Sequence, residues 1–129
     1  MRTILATAFF IVLIGCASTR PSGDERGDPT LISGEQIPGT GADTVYEVVL
    51  RLHHEWLSGT GFQGDRTPLV FRDQVRMGGV EAMKSMGTTG VHSIEWLDLM
   101  EATSILRGGA TDGTASGVIV VWTKPPDRR

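Results

Sequence analysis

Three short stretches of this chain hold residue types that could do chemistry. His53-His54-Glu55 puts two imidazoles and a carboxylate in consecutive positions, a composition suited to metal binding or proton transfer. On a helix, however, adjacent residues point about 100° apart. Neither a His-Glu-x-x-His pattern nor a histidine pair at i, i+4 accompanies the triplet, so no metal site is expected from it. His92 lies close to Ser93 and Glu95, which brings a base, a hydroxyl and a carboxylate together. Ser93 is its chain neighbour rather than an opposed nucleophile, so His92 reads as a surface or strand-edge residue. The Gly-rich run from Gly108 to Gly117 invites a phosphate-loop reading. It lacks the Gly-Lys-Ser/Thr ending and precedes a strand instead of opening a helix, so it reads as a connection. Asp112-Gly113-Thr114 is single, whereas aspartic-protease chemistry needs two coupled carboxylates. The chain therefore reads as non-enzymatic, with no catalytic residue, metal or cofactor.

The elements that would position these residues are legible from periodicity and punctuation. Thr44-Val45-Tyr46-Glu47 fits a capping box, with Asp43 as a rival cap. Val45, Val48, Val49, Leu52 and Trp56 then recur at helical spacing and predict one helix ending near Ser58-Gly59. Leu69-Val70-Phe71 is a short strand candidate, paired in a hairpin with Val75-Arg76-Met77. Val80 to Met86 predicts a short helix closed by Gly87, and Val91 to Leu97 a strand. Asp98 to Glu101 caps a further helix holding Ala102, Ile105 and Leu106. Val118 to Trp122 is continuously apolar and mostly β-branched, the composition of a strand buried on both faces. The expected class is α+β, a small mixed β-sheet with about three helices packed on it. Trp56, Trp96 and Trp122 are expected in the core rather than along a ligand groove.

Length and composition bound the rest. The chain of 129 residues allows one ordinary domain. Its seventeen glycines exceed the usual share and predict many tight turns. A formal charge of −3 offers no phosphate-binding surface, so nucleic acid is not an expected partner. Met1-Arg2-Thr3, the apolar run Ile4 to Ile14 and polar Ser18-Thr19-Arg20 follow the order of a secretory signal. The run is too short for an ordinary spanning helix, which needs about 20 residues. Leu13-Ile14-Gly15-Cys16 resembles a bacterial lipobox, which implies diacylglyceryl attachment to the Cys16 thiol and cleavage before it. Cys16 is the only cysteine, so no intramolecular disulfide competes for it. By the same resemblance, Ala17 rather than aspartate after the cysteine implies the outer membrane. Residues 1–15 thus read as signal peptide and 16–41 as a lipidated N-terminus with a Ser-, Pro- and Gly-rich tether. Such a tether of some 25 residues reaches roughly 25–30 Å. Leu31, Ile32 and Ile37 are its apolar exceptions, able to dock as a short segment on the domain at 42–125.

Within that domain, Pro68 to Met77, Val80 to Met83, Ser93 to Leu97, Glu101 to Leu106 and Gly117 to Lys124 resemble, in order and spacing, the plug domain of TonB-dependent outer-membrane receptors. Those plugs carry a strand with an Asp-Gly turn, an Ile-Glu-Val-Leu strand, a helix ending in an aromatic-glycine pair, and a closing Gly-Val-Ile strand that runs into Thr-Thr-Lys. Here Gln74 stands in place of the turn glycine, Leu106-Arg107 replace the aromatic-glycine pair, and no TonB-box-like segment is assigned. With no barrel expected after Lys124, the resemblance implies a plug-like fold in an outer-membrane setting, without a channel of its own. The expected function is a lipid-anchored envelope interaction module, periplasmic in placement, that binds an outer-membrane or periplasmic protein partner through a sheet edge. The alternative is a small-ligand or solute-binding lipoprotein, with the loops Gly59 to Thr67 and Gly108 to Gly117 closing a pocket.

Overall fold

The computed structural model describes residues 28–58, 66–107 and 114–127. Cys16, the signal region and most of both Gly-rich loops lie outside the described residues.

The apolar run Val118–Trp122 forms β5 and is buried throughout. It lies at the centre of a five-stranded sheet of order β1-β4-β5-β2-β3, in which β1 is Leu31–Ser33, β2 Leu69–Arg72, β3 Val75–Gly78 and β4 Ser93–Leu97. β2 runs parallel to β5, and the other pairings are antiparallel, so the sheet is mixed as expected. Helices α1 (Gln36–Thr40), α2 (Val45–Leu52) and α3 (Leu99–Ile105), with two 3₁₀ segments at His54–Trp56 and Val80–Ser85, complete an α+β domain.

Alternation along the strands divides the core in two. On one face Ile32, Val70, Ile94, Ile119 and Val121 pack beneath α1, α2 and both 3₁₀ segments. On the other, Leu69, Phe71, Leu97, Val118, Val120 and Trp122 meet Ala102 and Leu106 of α3. β5 supplies both cores, which is why its sequence shows no alternation.

Caps form where the sequence predicts them. The Glu47 amide donates to Thr44 Oγ1 at 3.3 Å, and Glu47 Oε2 accepts from the Asp43 amide at 3.0 Å. Asp98 Oδ1 accepts from the Glu101 amide at 2.7 Å and opens α3.

Four details depart from the sequence reading. The helix that starts at Val45 ends at Leu52, because His53 leaves helical geometry (φ −144°, ψ 61°) and the chain reaches buried Trp56 by a 3₁₀ turn. The segment after Gly79 is 3₁₀ rather than α. Val80, Met83 and Met86 recur every third residue, a spacing that a three-per-turn helix stacks on one side. The strand predicted from Val91 starts at Ser93. Finally, residues 31–40, inside the stretch of tether-like composition, are folded. β1 pairs with β4, Ile32 is fully buried, and the Arg51 guanidinium donates to the Thr40 carbonyl at the end of α1.

The β2–β3 hairpin turns at Asp73-Gln74, and Asp73 takes the positive φ of 53°. Its carboxylate accepts from the Thr123 amide (2.9 Å) and hydroxyl (2.8 Å). Gln74, the second residue of the turn, bonds outward. Its Oε1 accepts from the Arg107 amide at 2.8 Å, and its Nε2 donates to the Ile105 carbonyl at 3.4 Å. The hairpin is thereby fastened to the C-terminal end of α3.

Candidate functional site

The break after α2 brings His53, His54 and Glu55 together as a local clamp. His53 Nδ1 lies 2.7 Å from Glu55 Oε1, and the His53 ring stacks on Trp56 with centroids 4.4 Å apart. His54 Nδ1 is 3.6 Å from the other carboxylate oxygen. Among the described residues, no group of three or more His, Cys, Asp or Glu side chains is arranged to hold a metal ion. The hydrogen bond from His53 holds the Glu55 carboxyl below its ordinary value of 4.5, against a smaller opposing effect of burial. A lowered carboxyl stabilises the fold at pH above the unfolded-state value, and that contribution is lost as pH falls through the folded one. Glu55→Gln removes it at every pH. Urea unfolding should therefore show wild type and variant separated by less than about 1 kcal/mol at neutral pH, given the carboxylate's exposure. The two curves should converge well below pH 4.5.

His92, Ser93 and Glu95 do meet in space, but in a setting the sequence did not show. Ser93 and Glu95 pair in register with Ser33 and Leu31 of β1, so all four share the sheet face that carries α3. The cores divide so that α3 lies with β5, β2 and Leu97, leaving the β1–β4 side of this face as the floor of an open cleft of about 720 Å³. Leu31, Val91 and Pro126 supply its apolar wall, while Ser33, Glu35, His92, Ser93 and Glu95 supply polar groups. The Glu95 side chain is deep in this floor, the residue being only 6% exposed, and its Oε2 accepts from Trp122 Nε1 at 3.0 Å. The His92 amide donates to the Trp122 carbonyl at 2.7 Å, and the Gly34 backbone passes so close to the His92 carbonyl that a Cβ there would stand 2.6 Å from the oxygen. Ser33 and Glu35 were missed as site residues because they sit in a tract of tether-like composition. The usable signal was Leu31-Ile32-Ser33, an apolar interruption of that tract with Ser33 beside it.

A second cleft of about 710 Å³ lies across the C-terminal segment, among Asp73, Gln74, Arg107, Trp122 and Lys124. Trp56 and Trp122 are buried, Trp122 also bordering this second cleft, while Trp96 is half-buried with its ring 6.2 Å from that of Trp56, so the tryptophans pack mainly in the core. The loops Gly59 to Thr67 and Gly108 to Gly117, expected to close a ligand pocket, are described only at their ends. There they meet, with the Ser116 amide donating to the Thr67 carbonyl at 3.3 Å.

The outer margin of the sheet is the third feature. Among the described strands, β3 pairs only with β2, and Val75 and Met77 on it are 63% and 44% exposed. No described helix is long and apolar enough to cross a membrane.

Fold and clefts together define a small α+β domain with an open sheet edge and a carboxylate-floored recess. Comparison with protein-family models, with curated proteins and with solved structures finds no match to the chain.

Proposed function

We propose that the chain is a lipid-anchored, non-enzymatic docking module of the bacterial envelope, related to the plug of TonB-dependent receptors. In this reading Cys16 carries the lipid, the outer membrane holds the anchor, and the domain takes an extended segment of an envelope protein alongside β3. The observation that carries it is the β3 edge, where, among the described strands, a strand bearing exposed Val75 and Met77 is paired on one side only. An incoming strand needs backbone groups for its hydrogen bonds and alternate apolar side chains to cover those two residues. Native proteins ordinarily protect such an edge with charge or cover.

The test is crosslinking of the full-length protein in its native membrane, followed by mass spectrometry of the adducts. One outer-membrane or periplasmic protein should be recovered. Its yield should fall at least tenfold in Cys16→Ser, which should also leave the membrane fraction, and in Val75→Lys/Met77→Lys, which places repelling charge on the edge. An adduct that survives the edge variant, or no specific adduct at all, overturns the reading.

A second reading, a small-ligand-binding lipoprotein, draws on the cleft over β1 and β4 rather than on the two Gly-rich loops.

A further inference from the structure

We propose that residues 28–40 are a detachable strap over a second strand-binding edge, at β4, and that the occupant able to replace it there is the same segment of a second copy. Among the described strands β1 forms the margin of the sheet opposite β3, so this exchange is independent of docking at β3.

The strap buries little. Of residues 28–40 only Ile32 and Ile37 are buried. Ordering the backbone costs conformational entropy at every position, whereas the hydrophobic gain comes from those two side chains. Several of its polar contacts lie within the strap itself. The Leu31 amide donates to the Asp28 carbonyl (2.9 Å), the Ser33 amide to Gln36 Oε1 (2.8 Å) and the Thr40 hydroxyl to the Ile37 carbonyl (2.6 Å). These turns can leave with it. It meets the domain through the short β1–β4 ladder, through the Trp96 amide, which donates to the Thr30 carbonyl at 2.8 Å, and through Arg51 at the Thr40 carbonyl. Segments with so few buried contacts open ahead of global unfolding.

The edge that opening uncovers is shaped for this sequence. Ile32 sits opposite Ile94 in the ladder and is fully buried, so an entering strand needs an aliphatic side chain there. Two residues later the strap crosses the His92 carbonyl. A Cβ on Gly34 would stand 2.6 Å from the His92 oxygen and 3.4 Å from that of Val91. Both obstacles are backbone and cannot rotate aside, so the edge demands glycine at this position. The chain's own Ile32-Ser33-Gly34 has the required pattern. Exchange between copies restores the strap contacts in trans, which makes it a low-cost route to a dimer. Gly41, which ends α1 with φ 61°, is the hinge at which the strap would swing away from α2.

Hydrogen exchange of the full chain tests detachment. Corrected for intrinsic rates, the Trp96 amide should exchange at least tenfold faster than the amides of β5. Leu106→Ala, in the α3 core on the other sheet face, should speed exchange in β5 and leave the Trp96 amide unchanged, because only global unfolding feels that substitution. A Trp96 amide that tracks β5 overturns the proposal. Fit is tested with a synthetic peptide of residues 28–41. Gly34→Ala in the full chain dislodges its own strap, so that protein should bind the wild-type peptide at least tenfold more tightly than the wild-type protein does. The same substitution in the peptide should weaken binding at least tenfold. Ile37→Ala, which loosens the strap without touching the β4 edge, is the second opening variant and should also bind the peptide more tightly. Peptide binding that is unchanged by these substitutions overturns the fit, and general loosening of the fold does not produce the opposite signs. With Cys16 kept reduced, sedimentation of the wild-type chain should show a dimer that grows with concentration and dissolves in excess peptide. A monomer at every concentration, or a dimer indifferent to the peptide, overturns exchange between copies.

Discussion

Trp122→Ala is expected to lower the unfolding free energy by about 3–5 kcal/mol, the range for truncating a buried aromatic. Trp122 is 4% exposed in the core beneath α3, beside Leu97, Ala102 and Leu106. The alanine opens a cavity there, and it also removes the indole N–H that donates to Glu95 at 3.0 Å in a buried setting. Trp122→Phe separates the two losses, since the ring keeps most of the volume and only the donor disappears. That variant should cost about 1 kcal/mol, the net value of a single hydrogen bond. Against a total stability of some 5–15 kcal/mol, the alanine loss is a large share, and the variant should unfold at a clearly lower denaturant concentration than wild type. Denaturant titration measures both variants, and equal costs for Phe and Ala would mean that the hydrogen bond, not the packing, dominates this site.

Gly117→Val should cost about 2–3 kcal/mol for a different reason, overpacking. The Trp96 ring lies close against the Gly117 backbone. A Cβ there would stand 2.4 Å from Cζ2, 2.8 Å from Cη2 and 2.9 Å from Cε2. These are ring atoms of a side chain itself packed toward Trp56, so the indole must swing outward and give up burial. The claim is about one contact, which makes it checkable by a double-mutant cycle. In a Trp96→Ala background the same valine should be nearly neutral, and a cost that stays above about 1 kcal/mol there would place the strain in the backbone instead.

What the sequence made legible, and what it did not, divides along the range of the interactions involved. The caps at Thr44 and Asp98 depend on side-chain types within one helical turn, and both form where read. β5 was evident because a strand buried on both faces must be apolar at every position. β1 was open only as a docking segment, because a strand of three residues has no periodicity of its own and exists through its pairing with β4. The end of α2 was misplaced because Trp56 keeps the apolar stripe while the His53–Glu55 contact and the His53–Trp56 stack favour a different path to the same burial. The site follows the same division. His92, Ser93 and Glu95 are neighbours in the chain and could be singled out, whereas Ser33 and Glu35 join them only through the β1–β4 register.

The position of β5 also sets the order of events during synthesis. β5 follows every other described strand in the chain, yet it joins β4 on one side to β2 on the other. Until Val118–Trp122 has been made, the β1–β4 and β2–β3 pairs share no hydrogen-bonded neighbour, and each is too small to persist alone in water. The parallel β2–β5 ladder, which joins residues 49 apart such as Leu69 and Val118, belongs to the slow, non-local class of contacts. An emerging chain therefore stays unfolded until β5 appears, then closes both cores in one step, and a ribosome-bound chain stalled before Val118 should remain fully sensitive to protease.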